Sequence, residues 1–232
     1  MALESRLRDV ENRLELACSR SGRRREDVRI IAVTKYVSTA AAEAVVRQGV
    51  THIGENRWPD AKAKWEALQG QAVFHYIGSL QTNKAKDVVG KFAYIHSLDR
   101  ESLAEAIQKR AQALELSVPC LLQVNVSGEQ SKHGLEPEAV RPFLEKLRKF
   151  DRIKPIGLMT MAPHYSDPEE TRPVFRALKQ LKEELNASSV SDEPLTELSM
   201  GMSNDFEVAV EEGATWVRLG TVLVGKEEFK EG

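Results

Sequence analysis

Lys35 closes the run Val28-Arg29-Ile30-Ile31-Ala32-Val33-Thr34-Lys35, an apolar stretch that ends on a cation with Tyr36-Val37-Ser38 behind it. An ammonium resists desolvation unless its pKa falls or it is covalently neutralised, so a lysine pointing inward here is a candidate Schiff-base former. An exposed lysine at a strand end is the plainer alternative. Arg218 ends a second apolar stretch, with a surface ion pair as its plainer alternative. Ser199-Met200-Gly201-Met202-Ser203-Asn204-Asp205 reads as a loop feeding a helix, Ser203 or Asn204 serving as N-cap with Asp205 and Glu207 in the first turn. Glycine and small hydroxyl residues before a helix expose backbone N–H groups, and the helix dipole favours an anion there. A capping loop without a ligand is the alternative. Gly220-Thr221 forms another such pair. An amine beside an anion site, with an arginine across from it, suits a phosphorylated aldehyde.

These residues need a scaffold that brings them together. Leu3, Leu7, Val10, Leu14 and Ala17 recur at helical spacing and predict an opening amphipathic helix over 2–18. Strands are expected at 29–34, 51–54, 73–77, 93–96, 118–125, 153–159, 195–199 and 215–219, the patterns at 51–54 and 195–199 being the weakest. Helical patterns lie between them, near 38–48, 58–68, 82–90, 99–115, 136–149, 168–186 and 204–211. Eight strands alternating with helices predict an α/β protein, a single (β/α)8 TIM barrel with an extra N-terminal helix, in one domain over 1–232. An open doubly wound sheet is the alternative, but its Gly-rich turn is missing where Thr34-Lys35-Tyr36 stands. In a barrel the active site lies at the C-terminal ends of the strands. Side-chain alternation then turns Ile31, Val33 and Lys35 inward on the first strand and groups Trp216, Arg218 and Gly220 on the last.

Composition narrows the function. The 33 basic and 35 acidic residues nearly cancel, with a formal net charge of −2, so no basic excess argues for a nucleic-acid or membrane partner. Cys18 and Cys120 lie far apart without metal-ligand spacing, which fits reduced thiols in the cytoplasm. No apolar leader or membrane-spanning stretch is present, and a soluble, cytoplasmic protein is expected. His52, His75, His96, His133 and His164 fall on separate segments without an HExxH pattern, so no metal site is expected, and His75 reads as a satisfied core or rim histidine. Lys84 and Lys132 read as surface or anion-pairing lysines, and no G-x-S-x-G or Walker sequence occurs.

Seven short segments occur in a telling order. They are Ala32-Val33-Thr34-Lys35, Gly54-Glu55-Asn56-Arg57, His75 through Lys84, Val124-Asn125-Val126-Ser127-Gly128-Glu129 through Lys132 and Gly134, Gly157-Leu158-Met159-Thr160-Met161, Leu198 through Asp205, and Val217-Arg218-Leu219-Gly220-Thr221. With them the chain resembles the pyridoxal phosphate homeostasis protein family, small proteins that bind pyridoxal 5'-phosphate (PLP) and are related to the N-terminal barrel of alanine racemase. The resemblance implies PLP held as a covalent aldimine to Lys35. It implies that Ser199, Ser203, Gly220 and Thr221, with backbone amides around Met202, hold the phosphate. Arg218 would face the pyridine nitrogen, Asn56 would lie near the ring or its hydroxyl, and Met159 would pack against the ring. Relatives often carry Asp where this chain has Asn204, a change that alters only the cap.

Arginine stays protonated in proteins, and facing the pyridine nitrogen it weakens PLP as an electron sink. The racemases that resemble this barrel carry a further β domain with a second base, whereas this chain ends at Gly232. A proton acceptor on the opposite face is then missing unless Tyr36, Tyr165 or a partner provides it. The expectation is a non-catalytic PLP-binding protein that limits free aldehyde and serves vitamin B6 homeostasis and amino- and keto-acid balance. A weak or partner-dependent PLP-type amino-acid racemase, and an aldolase-like Schiff-base barrel without PLP, are the alternatives. A monomer is expected because the racemases' dimerising domain is absent, and PLP-requiring apoenzymes are the candidate protein partners.

Overall fold

Eight parallel strands hydrogen-bond in sequence order and close on themselves: β1 (Arg29–Val33), β2 (His52–Glu55), β3 (Val73–Tyr76), β4 (Tyr94–Leu98), β5 (Val118–Gln123), β6 (Ile153–Met159), β7 (Glu197–Ser199) and β8 (Trp216–Leu219). The last pairs back to the first with Ile31 beside Arg218. The computed structural model describes residues 2–129, 133–165 and 167–225, so Lys132 lies outside the described residues. The helices are α1 (Leu3–Arg20), α2 (Thr39–Arg47), α3 (Trp58–Ala67), α4 (Ala85–Val88), α5 (Glu101–Ala113), α6 (Pro137–Leu147), α7 (Arg172–Ala187), α8 (Phe206–Glu211) and α9 (Thr221–Val224).

All eight strands form where the pattern predicts them, β2 and β7 included. The differences are local. The fifth strand stops at Gln123, because Val124 makes only an isolated bridge to Leu135. The segment expected as a helix over 82–90 is a 3-10 turn, Thr82–Lys84, followed by the single turn of α4. The expected helix from 168 likewise opens as a 3-10 turn, Pro168–Thr171, before α7. α1 buries Val10, Leu14, Ala17 and Cys18, one stripe of an amphipathic helix.

Buried side chains fall into two layers. Between sheet and helices, Ile30, Ala32, Ile53, Phe74, Ile95, Leu122, Leu158 and Val217 meet Leu14, Leu103, Phe143, Phe175 and Phe206. Each such burial contributes roughly 1.5–3 kcal/mol relative to exposure. Inside the barrel, the usual Val, Ile and Leu filling gives way to a mixed set. Ile31 and Trp216 are joined there by His75, His96, Ser199 and Arg218, all buried. A hydrogen bond from β4 to β7, between His96 and Ser199, joins strands that are not neighbours and therefore crosses the interior. Room for these groups is tight. A Cβ on Gly54 would come within 2.8 Å of Ile31 Cγ2 and 3.0 Å of Ile77 Cδ1.

Candidate functional site

Lys35 stands in the turn between β1 and α2, and the residue before it is anchored from outside the barrel. Thr34 donates its hydroxyl to Glu55 Oε1 at 2.6 Å and its N–H to the Gly54 carbonyl at 3.1 Å. The Thr34 carbonyl accepts from Lys64 Nζ at 2.6 Å, and Lys64 also pairs with Glu55 Oε1 at 2.9 Å. With Thr34 held outward, alternation turns Lys35 to the mouth. Lys35 is half-buried, and its Nζ lies 4.8 Å from the Tyr36 ring centroid, a cation–π contact with a ring that is 65% exposed. A cavity of about 780 Å³ opens here, with Val33, Lys35, Asn56, Ser203, Arg218 and Thr221 on its wall. Gly78 lets the end of β3 lie against Asn56, since a Cβ there would come within 2.6 Å of the Asn56 carbonyl oxygen.

One side of the cavity is rich in N–H donors. Ser203 Oγ accepts from the Gly220 N–H at 3.2 Å and the Val222 N–H at 3.4 Å. The Thr221 N–H between them has no acceptor among the described residues. The adjoining helices, α8 and α9, have only 6 and 4 residues. Individual amides and the Ser203 hydroxyl, rather than a long helix dipole, therefore supply the attraction for an anion.

Arg218 is buried beneath the mouth. Its Nη1 donates to Ser199 Oγ at 2.8 Å and its Nη2 to the Thr160 carbonyl at 2.9 Å, leaving further N–H donors of its planar fork. Burial draws its pKa down to about 10, with the Asp205 carboxylate opposing the shift, so it is cationic at neutral pH. Asp205 is itself pushed up by burial, while the Met202 amide and the Arg218 charge pull the other way. Behind Arg218, burial and then its charge hold His96 down at about 3.

With this geometry in place, relatives give it a context. The family model for the alanine racemase N-terminal domain matches residues 6–228. A pyridoxal phosphate homeostasis protein of Aquifex aeolicus is 42% identical over 225 residues, covering 97% of this chain and 98% of the relative. The chain belongs to the pyridoxal phosphate homeostasis protein family. The solved structure of PipY from Synechococcus elongatus PCC7942 with PLP bound superposes with a TM-score of 0.80 at 36% identity, covering 93% of this chain and 100% of that one. An alanine racemase of Clostridium difficile shares the fold, with a TM-score of 0.74 at 16% identity, and this chain covers 58% of its length.

In this chain Lys35, Asn56, Met202, Ser203, Arg218, Gly220 and Thr221 all line the cavity. Two expected residues do not. Ser199 is fully buried, and its hydroxyl is engaged by Arg218 and His96, so it backs the arginine instead of facing an anion. Met159 is 1% exposed within the barrel below the cavity wall. The Met202 amide is also taken, since it donates to Asp205 Oδ1 at 2.6 Å; Asp205 precedes α8 as its N-cap residue. Gln123, His133, Met161, His164 and Tyr165 line the cavity without having been singled out as ligands. His164 and Tyr165 sit on the loop after β6, and the sequence offers Tyr165 only as a candidate proton acceptor. Lys84 is exposed, away from the cavity wall.

Proposed function

We propose that this chain binds PLP reversibly at Lys35 and serves PLP homeostasis, and with it amino- and keto-acid balance, without turnover of its own. The observation that carries this reading is the donor set of one cavity: a half-buried primary amine, a buried guanidinium, and the Thr221 N–H with the Ser203 hydroxyl, which two neighbouring amides hold in place. Those residues fit the group. The Thr221 amide and the Ser203 hydroxyl hydrogen suit a phosphate, with the Gly220 amide beside them donated to Ser203 Oγ, and Asn56 suits a ring hydroxyl. When bound, PLP supplies a reactive aldehyde and a pyridine ring that can act as an electron sink. Lys35 supplies the amine that takes up the aldehyde with loss of one water. Arg218 keeps its proton at neutral pH and donates toward a ring nitrogen that stays unprotonated, which weakens the sink. The PLP-bound PipY structure supports the same reading. The reading also takes residues 1–232 as a single domain acting as a cytoplasmic monomer, with PLP-requiring apoenzymes as candidate partners. Among the described residues no helix is long and apolar enough to cross a membrane.

The visible spectrum of purified protein with PLP tests this. Wild type is expected to turn yellow, and Lys35→Ala to lose that absorbance. A wild type left colourless after incubation with excess PLP and removal of the unbound cofactor overturns the proposal. Tyr36 and Tyr165 on the cavity wall favour the racemase as a second reading. Sustained loss of optical activity from an L-amino acid incubated with the yellow protein would establish it in place of the carrier.

A further inference from the structure

Five side chains form an unbroken line of hydrogen bonds through the barrel. Arg218 Nη1 lies 2.8 Å from Ser199 Oγ, which lies 2.9 Å from His96 Nδ1. His96 Nε2 lies 2.9 Å from His75 Nδ1, and His75 Nε2 lies 2.9 Å from His52 Nδ1. The line runs from β8 through β7, β4 and β3 to β2. Four of its members are buried, and His52 is half-buried.

The chemistry of the first member sets the direction of every bond. A guanidinium only donates, so Ser199 Oγ is an acceptor toward Arg218. The hydroxyl hydrogen then needs an acceptor, and among the described residues His96 Nδ1 is the one other polar atom at hydrogen-bond distance from Ser199 Oγ. If His96 Nδ1 carried the proton instead, a buried hydroxyl hydrogen would be left without a partner. A neutral His96 accepting at Nδ1 carries its proton on Nε2 and donates to His75 Nδ1. The same step makes His75 donate from Nε2 to His52 Nδ1. Burial keeps His75 and His96 neutral, helped by the Arg218 charge at His96.

We propose that Ser199, His96, His75 and His52 are positioning residues, a one-way hydrogen-bond relay that orients the Arg218 guanidinium toward the cofactor cavity. The relay has a job only if Arg218 meets the PLP ring nitrogen, so its role rests on the function proposed above, whereas the tautomers follow from the apoprotein alone. A Ser199 hydroxyl that donates to His96 is a better acceptor for Arg218, because hydrogen bonds in a chain polarise one another. Together with the Thr160 carbonyl it holds two corners of the guanidinium plane from behind.

The test begins with PLP-free, histidine-15N-labelled protein and proton–nitrogen correlation across the imidazole rings. His75 and His96 are expected as neutral Nε2–H tautomers, and a His96 protonated on Nδ1 or on both nitrogens overturns the relay. Ser199→Ala is then expected to weaken PLP binding roughly tenfold and shift the absorbance of the bound cofactor, while Ser199→Thr, which keeps the hydroxyl, restores both. If PLP binds Ser199→Ala as tightly as wild type, the positioning role fails. A wild type that binds no PLP sinks the proposed function and the positioning role together but leaves the tautomer result standing, so the two failures are separable.

Discussion

Glu55 is fully buried, and its Oε1 receives both the Thr34 hydroxyl and the Lys64 ammonium, while its Oε2 has no hydrogen-bond partner among the described residues. Lys64 is 5% exposed and caps the carbonyl of the residue before Lys35. Breaking a buried ion pair from one side leaves an uncompensated charge and costs about 3–5 kcal/mol, whereas replacing both partners with apolar groups is far milder. Lys64→Met is therefore expected to destabilise the protein by about that amount, and Lys64→Met with Glu55→Leu to recover most of it. Urea unfolding of the single and double variants measures this, and a double variant less stable than the single would contradict it. Lys35 and Arg218 were legible in the sequence because a cation closing an apolar strand is anomalous. Lys64 was not, because a lysine on a helix reads as solvated until the opposing carboxylate is seen. Ser199 shows a similar limit: a hydroxyl near a glycine suggests an anion site, and only the barrel register reveals that its hydroxyl meets Arg218 and His96.

α9 has 4 residues, too few to be stable alone, yet its first residues form the donor-rich side of the cavity. It is held from outside by α1. Arg6 Nε donates to the Leu223 carbonyl at 2.8 Å and Arg6 Nη2 to the Val224 carbonyl at 3.1 Å, satisfying carbonyls at the end of the short helix. Arg13 on the same helix is bonded to Glu207 of α8 at 2.7 and 3.2 Å. The N-terminal helix thus acts as a brace for the two elements around Ser203. Removing the Arg6 side chain loses about 1 kcal/mol per bond, spent where the cavity is formed. Arg6→Ala is expected to weaken PLP binding roughly fivefold or more, with the thermal midpoint falling by no more than about 4 °C per kcal/mol lost. A spectral titration beside a melting curve checks it, and unchanged PLP affinity would refute the brace. The sequence disclosed α1 through its apolar period, but not α9, because four residues carry no helical period. The pattern over 82–90 suggests one helix where two brief turns, Thr82–Lys84 and Ala85–Val88, stand.

At the scale of the whole molecule, the barrel was legible because eight strand patterns alternate with helical ones, while its polar filling was not. His52, His75 and His96 are 23 and 21 residues apart, about one strand-helix unit each, so closure of the barrel stacks residues that look unrelated along the chain. That filling gives stability a definite pH dependence. Burial, followed by the charges of His96, His52 and Arg29, holds His75 well below its ordinary value. Burial and the Arg218 charge hold His96 at about 3. In the unfolded chain both histidines take up protons near pH 6.5. Below that value the unfolded state binds protons that the folded state refuses, so stability is intact above about pH 6.5 and declines as pH falls toward the folded values, by up to about 1.4 kcal/mol per pH unit for each histidine. Glu212 acts in the same direction further down. Burial alone would raise its pKa, but hydrogen bonds and charge from Arg176 and Arg172 hold it below the ordinary carboxylate value. Its contribution is present above about pH 4.3 and is lost as pH falls through its folded pKa. Urea unfolding at half-unit steps from pH 7.5 to 4 is thus expected to show a decline that begins near pH 6.5, before carboxylates titrate. Glu212→Gln should leave that upper decline in place and flatten only the acid end. A wild-type stability that stays level down to pH 5 would mean that the buried histidines accept protons in the folded barrel, and their neutrality would have to be abandoned.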